Sequence, residues 1–447
     1  MRLTIIGGGG FRVPLIYRAL LADHAEGRIT ELVLYDLSAA RLAAIRRVLD
    51  AQAEGIPDAP RVHVTTDLDE AVTRTDFVFV AVRVHGLAGR AIDERVALAE
   101  GVLGQETVGA GGISYGLRTI PVATEMARRI ASAAPDAWVI NFTNPAGMVT
   151  EAMSRHLGDR VIGICDSPVG LGRRVAQALG VDPHRARLDY VGLNHLGWLR
   201  GLYVDGTDQL PRLFADEATL LSFEEGKLFG ADWLRSLGAV PNEYLHYYYY
   251  NREAVAAARS APQTRGAFLL EQQERFYAQL DSHQEPAFAA WDRTRLEREV
   301  TYMAENREAV GAGERHDSDL ESGGYEQIAL ALMRAIARDE RATLILNVAN
   351  GSTLPNLAPD AVIEVPCTVD AKGARPHPTD PLPDYAVGLV TTVKTVDRTV
   401  IEAATTGSRA RALRALALHP LVDSVAVAGR LLAAYQRELP ELSYLRA

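Results

Sequence analysis

The first thirteen residues limit what this chain can become. Leu3-Thr4-Ile5-Ile6 is a short apolar run, Gly7 to Gly10 follow without a break, and an apolar helical pattern starts at Val13. Strand, glycine turn and helix in that order suit a dinucleotide pyrophosphate. Glycines let the backbone come close to the phosphates, and the helix start offers free N–H groups and the positive end of its dipole. The spacing fits G-x-G-x-x-G only in part: Gly7 and Gly9 match, while Arg12 stands where the third glycine belongs. Asp36 strengthens the reading. It follows a second apolar run, Leu32 to Tyr35, 26 residues past Gly10, where a carboxylate can accept from both ribose hydroxyls. The same charge repels a 2′-phosphate, so the pattern predicts NAD rather than NADP. Gly7, Gly8, Gly9, Gly10 and Asp36 are the cofactor-binding candidates.

The first 165 residues continue this alternation. Strands are predicted at 2–6, 31–36, 61–65, 76–82, 137–141 and 161–165, with helices near 13–23, 38–53, 121–133 and 146–157. Six such strands make a Rossmann domain, a doubly wound parallel sheet. A Gly-rich stretch, 83–118, reads as a long functional loop. Beyond Cys165 the pattern becomes mixed α/β and rich in helix. A helix is expected near 168–179 and a strand at 188–193. Long helices follow near 264–280 and 291–310, then strands at 343–348 and 361–366, and closing helices at 399–418 and 421–436. The expected fold class is α/β, with a Rossmann domain at 1–165 and a substrate, metal and oligomerisation domain at 166–447. Residues 372–383, with four prolines, are the stretch expected to be mobile.

At 447 residues the chain exceeds a single compact core. A net charge of −10 argues against nucleic acid or an anionic membrane as partner, while leaving room for a local basic pocket. No apolar run reaches membrane-spanning length, and no signal peptide is read before the first strand. Two cysteines, Cys165 and Cys367, make no disulfide framework, so a reducing cytoplasm is expected.

Four short stretches carry chemistry. Asn141-Phe-Thr-Asn144-Pro145 ends the fifth predicted strand and Ile164-Cys165-Asp166-Ser-Pro168 ends the sixth, both at the carboxyl edge where open α/β sheets bind ligands. Gly192-Leu-Asn194-His195 ends another strand 30 residues past Cys165. Alone, Cys165 reads as a small buried apolar residue and His195 as a satisfied core histidine. Together at sheet edges beside a cofactor, a thiolate and an imidazole suit a divalent transition metal. Pro241-Asn-Glu-Tyr244-Leu-His-Tyr-Tyr-Tyr-Tyr250 packs five tyrosines into seven residues. Such clusters are usually core or interface, yet here one polar role is plausible.

In order along the chain, the glycine turn, Val82-Arg83-Val84, Arg90-x-x-Asp93-Glu94, Gly104-Gln105-Glu106-Thr107, Asn144-Pro145, Cys165-Asp166-x-Pro168, Asn194-His195-x-Gly-Trp198, Asn347-Val-x-Asn350-Gly351, Glu364-Val-Pro-Cys367 and His419-Pro-Leu-Val resemble glycoside hydrolase family 4 nearly end to end. The tyrosine stretch and Thr264-Arg265 look most like its 6-phospho-β-glucosidase branch. The resemblance implies an NAD- and metal-dependent glycosidase, an exception to the two-carboxylate mechanism. C3 of the sugar is oxidised, the acidified C2 proton is removed by a tyrosine, the C1 group is eliminated, water adds and the hydride returns. It implies Cys165 and His195 as ligands of a divalent metal, Mn²⁺ by family habit; Tyr244 as the base; and Asp166 as a substrate contact assisting the leaving group. Further cofactor contacts at Val82, Arg83 and Asn141, and substrate contacts at Arg90, Asn144 and Arg265, follow from it too. A planar guanidinium at Arg265 suits a sugar phosphate. The partner expected is a small (phospho)glycoside, and the subunit a homodimer or homotetramer.

Three departures stand out. The turn reads Gly-Gly-Gly-Gly-Phe-Arg instead of Gly-Gly-Gly-Ser. Asp166 stands where the β branch carries Asn and looks like the α-linked branch. Glu321-Ser322, and no basic residue, precede Gly323-Gly324. An α-linked or non-phosphorylated glycosidase of the same family is therefore an alternative. So are a malate- or lactate-type dehydrogenase, which needs no metal, and a non-catalytic sensor on the same fold.

Overall fold

A computed structural model describes residues 1–282, 285–301 and 324–446. Six parallel strands, β1 (Arg2–Ile6), β2 (Glu31–Tyr35), β3 (Arg61–Thr65), β4 (Phe77–Val80), β5 (Trp138–Asn141) and β6 (Val161–Gly163), lie in the order 3-2-1-4-5-6 of a doubly wound dinucleotide-binding sheet. Alternate residues bury against opposite layers. Leu3, Ile5, Phe77 and Phe79 join a core with the helices Val13–Leu21 and Ala39–Ala53, while Ile6, Val78 and Val80 join another with Gly109–Ala133 and Ala146–Leu157. Both faces of the inner strands are covered, which is why they read as nearly continuous apolar runs, while the edge strand β3 is mostly exposed and alternates.

The sheet does not stop at β6. It continues through β7 (Arg187–Leu193), β8 (Leu196–Val204), β9 (Thr207–Asp208), β10 (Val240–Pro241), β11 (Ala342–Ala349), β12 (Val362–Asp370) and β13 (Gly373–Pro376). β11 joins β6 at Asn347 opposite Gly163, and every strand pair beyond that point is antiparallel. Helices Asp384–Thr406, Arg409–Leu418 and Val425–Glu438 build a separate apolar core against Gly86–Ala99 and Gly109–Ala133. Among the described residues no helix is long and apolar enough to cross a membrane.

Several expectations need correction. Residues 83–118 are not a loop: helix Gly86–Ala99 and the start of the 25-residue helix Gly109–Ala133 occupy most of them. The glycines there serve close packing. A Cβ at Gly111 would lie 2.1 Å from the Gln105 carbonyl oxygen. The stretch 372–383 is tied down, first by the β12–β13 ladder and then by Arg200, which donates to the carbonyls of Asp380 and Pro381. The predicted helix 399–418 is two helices separated at Gly407, whose φ of 70° ends the first. Strands β8 and β13 were not anticipated. The predicted helix 291–310 is observed as Ala287–Val300, and its remainder lies beyond the described residues.

Candidate active site

The turn after β1 sits where the strand order reverses, between β1 and β4. Gly7 has a φ of 93°, and a Cβ there would be 2.3 Å from the Ala81 carbonyl oxygen that follows β4. Only glycine fits. Three side chains from distant helices hold the turn's carbonyls: Tyr277 donates to Gly9 at 2.7 Å, Trp291 to Phe11 at 2.8 Å and Tyr325 to Arg12 at 2.8 Å. Asp36, at the end of β2, accepts from Gly9 N at 3.1 Å and Ser38 N at 3.0 Å, which fixes its carboxylate at the cavity rim. A cavity of about 700 Å³ opens over these groups.

Gly7, Gly10, Asp36, Val82, Arg83, Arg90, Asn144, Cys165, Asp166, His195, Tyr244 and Arg265 all line this one cavity. Three sequence candidates do not. Gly8 and Gly9 pack against Leu34, Arg41 and Asp36 behind the turn. Asn141 is fully buried; its amide donates to Thr143 O, Ala146 O and Thr150 Oγ1 and its oxygen accepts from Thr143 N. It shapes the loop after β5 and does not line the cavity.

The sulfur and the imidazole converge. Cys165 Sγ lies 3.5 Å from His195 Nε2, and both residues are 5 % exposed. His195 gets there because β7 and β8 form a hairpin whose turn is Asn194-His195, with His195 in the left-handed region at φ 61°. A non-glycine residue held there is a marker of functional strain. Burial lowers the imidazole to about 4, which keeps it neutral at pH 7. Burial, then the nearby carboxyl groups of Glu364 and Asp166, push the Cys165 thiol well up, so cation entry must displace a proton. Among the described residues no group of three or more His, Cys, Asp and Glu gathers as a metal cage. A soft sulfur and one imidazole fit a transition metal whose other positions stay open for substrate oxygens.

Tyr244 stacks on His195, ring centres 3.7 Å apart and planes 4° from parallel. Of the five tyrosines only Tyr244 and Tyr247 face the cavity. Tyr248 stacks on His419, Tyr249 accepts from Trp198 Nε1, and Tyr250 donates to Phe229 O. Arg90 is close enough to Tyr244 to interact electrostatically. It is held there by Glu94 at 2.7 Å and Glu106 at 2.8 Å, and Glu106 also accepts from Arg83 at 2.7 Å. Burial raises the Asp166 carboxyl to about 6, against the pull of the Arg12 guanidinium.

A cationic cluster forms the remaining wall. Arg265 donates to Thr301 Oγ1 and the Arg298 carbonyl. The Arg298 guanidinium is lowered to about 9 by burial and by the neighbouring Arg12 and Arg265. Arg12 lies over the rings of Tyr325 and Phe142, 5.2 Å and 5.9 Å from their centres. Arg298 and Tyr325 were missed in the sequence because each sits on a segment without a chemical motif, and Glu243 stood inside the quoted tyrosine stretch without a role. Glu106 and Thr107 stood inside a quoted motif but without a role. The expected significance of Glu321-Ser322 concerns residues outside the described ones.

Comparison with known proteins gives the family. The family 4 glycosyl hydrolase model matches residues 2–181, and the family 4 glycosyl hydrolase C-terminal domain matches 190–422. The chain is 30 % identical to the 6-phospho-beta-glucosidase of Escherichia coli (strain K12), covering 99 % of this chain and 97 % of that one. It is 32 % identical to the maltose-6′-phosphate glucosidase of Bacillus subtilis (strain 168), covering 95 % and 93 %. Its fold is similar to the Thermotoga maritima 6-phospho-beta glucosidase solved with manganese, NAD⁺ and glucose-6-phosphate, at a TM-score of 0.83, 26 % identity and 99 % coverage of both chains. The chain belongs to the family 4 glycosyl hydrolases.

Proposed function

We propose that the protein hydrolyses 6-phospho-β-glucosides by C3 oxidation, C2 deprotonation, elimination at C1 and water addition. The observation that carries this reading is the convergence of Cys165, His195 and Tyr244 in the cavity that the glycine turn opens into. When bound, NAD along Gly7, Gly10 and Asp36 supplies a hydride acceptor for C3, and a divalent metal between Cys165 Sγ and His195 Nε2 supplies Lewis-acid polarisation of the sugar oxygens. The residues do the rest. Tyr244, braced by the His195 ring and facing the Arg90 cation, takes the C2 proton. Asp166, half-buried beside Cys165, supports the departing C1 oxygen. Asn144 and Arg90 line the sugar's path, while Arg265, Arg298 and Arg12 gather positive charge where a 6-phosphate can dock.

One observation favours a second reading. An aspartate at 166 resembles the α-linked branch, and relatives named 6-phospho-beta-glucosidase and 6-phospho-alpha-glucosidase both match the chain. A panel of nitrophenyl glucosides, α and β, with and without 6-phosphate, assayed with NAD⁺, Mn²⁺ and reductant, separates these readings. The 6-phospho-β compound is expected to be turned over fastest. Omitting the phosphate should lower kcat/KM about a hundredfold or more, since each charge-assisted hydrogen bond contributes about 1.5–3 kcal/mol. Equal rates on the plain sugar would remove the phosphate role of the arginines, and preference for the α anomer would favour the second reading. NADH accumulating without nitrophenol would point to a dehydrogenase instead.

A further inference from the structure

Behind His195 runs a hydrogen-bond chain whose direction is set at its far end. The Gln105 side-chain oxygen faces Thr107 N at 2.6 Å, Val108 N at 2.9 Å and Thr107 Oγ1 at 2.9 Å. An atom that receives two backbone N–H groups is the amide oxygen, which can only accept. The Thr107 hydroxyl must therefore donate its single proton to Gln105. That leaves the hydroxyl only lone pairs for its other neighbour, His195 Nδ1, at 2.9 Å. Nδ1 then has to carry the proton, and in a neutral ring Nε2 is bare. Nε2 is the nitrogen facing Cys165 Sγ.

We propose that Gln105 and Thr107 are positioning residues that lock His195 in its Nδ1–H tautomer and so present the Nε2 lone pair toward a divalent cation. The second half of this statement rests on the reading of Cys165 and His195 as a metal pair; the first half does not. The relay is rigid. Gln105 caps the first amides before the 25-residue helix Gly109–Ala133, and its own backbone lies against Gly111 so closely that a Cβ there would meet it. Thr107 and His195 are 9 % and 5 % exposed, so bulk water does not compete for either group. Orientation of a metal-ligating imidazole through its second nitrogen is a general device, and removing the partner usually weakens metal affinity 10–100-fold. Here the partner is a hydroxyl, and a hydroxyl can bond either way. The amide of Gln105 removes that freedom.

The test is long-range ¹H–¹⁵N spectroscopy of the full-length, metal-free protein labelled with ¹⁵N-histidine, the His195 signals being identified by their loss in His195→Gln. The expected result is the Nδ1–H tautomer in the unsubstituted protein and in Thr107→Ser, and a mixed or Nε2–H tautomer in Thr107→Val. Titration with Mn²⁺ should show a 10–100-fold weaker affinity for Thr107→Val and recovery to within a few-fold for Thr107→Ser. A proton on Nε2 in the unsubstituted protein overturns the proposal without recourse to any variant. So does a Thr107→Val protein in which neither tautomer nor Mn²⁺ affinity changes. The metal reading fails separately: if the tautomer is as stated but Mn²⁺ leaves the His195 signals unbroadened, the lock stands and the metal pair does not.

Discussion

Cys165→Ser is expected to lose about a thousandfold or more in Mn²⁺-dependent kcat while NAD⁺ binds as before. The sulfur sits just past β6, facing His195 Nε2, whereas the groups proposed to hold the dinucleotide are the β1 turn and the Asp36 rim. A serine hydroxyl has the wrong softness, stays neutral at pH 7 and lies on a shorter bond to Cβ, so the Lewis acid is lost or displaced. Lewis-acid stabilisation contributes several kcal/mol, and each 1.36 kcal/mol is about tenfold in rate. NAD⁺ affinity measured by fluorescence quenching or calorimetry should change no more than a few-fold. If NAD⁺ binding disappears together with activity, Cys165 has been misassigned and its role is structural.

Tyr244→Phe is expected to cost about 10²–10⁴ in kcat, the usual worth of a positioned general base. The stacking on His195 depends on the ring and survives the change; only the oxygen near Arg90 is removed. The effect should therefore fall on kcat more than on KM. Run in D₂O, the unsubstituted enzyme should return a product bearing deuterium at C2, because the proton taken there exchanges before it is given back. The Phe variant should lose label incorporation in step with turnover. Retention of kcat in Tyr244→Phe with loss in Tyr247→Phe would move the base to the other tyrosine on the cavity wall. A product without C2 label from the unsubstituted enzyme would rule out the elimination route.

Both predictions come from features that are legible in the sequence. The strand periodicity and the Gly7–Gly10 turn announce the doubly wound sheet because its inner parallel strands are buried on two faces and carry their own apolar runs. Cys165 stands out because it follows a parallel strand, and the carboxyl ends of such strands share one edge; His195 follows β7 in the antiparallel part and reaches the same cavity through the β7–β8 hairpin. What was not legible depends on distance in sequence. The glycines of 83–118 resemble a loop, since composition cannot distinguish a glycine that bends a chain from one that lets Gln105 approach Gly111. Arg298 becomes part of the site only because helix Ala287–Val300 packs beside the glycine turn, where Trp291 bonds Phe11. Asn141 illustrates a different limit: its motif position suggests a ligand contact, while burial gives its amide partners inside the loop after β5, which a motif does not reveal.

The most direct test of the account is anomalous diffraction at the manganese edge from crystals of this protein grown with NAD⁺ and Mn²⁺. The predicted result is one strong peak within bonding distance of both Cys165 Sγ and His195 Nε2, open on the side facing the nicotinamide ring. A peak bound elsewhere, or none between those two atoms at saturating Mn²⁺, would contradict it.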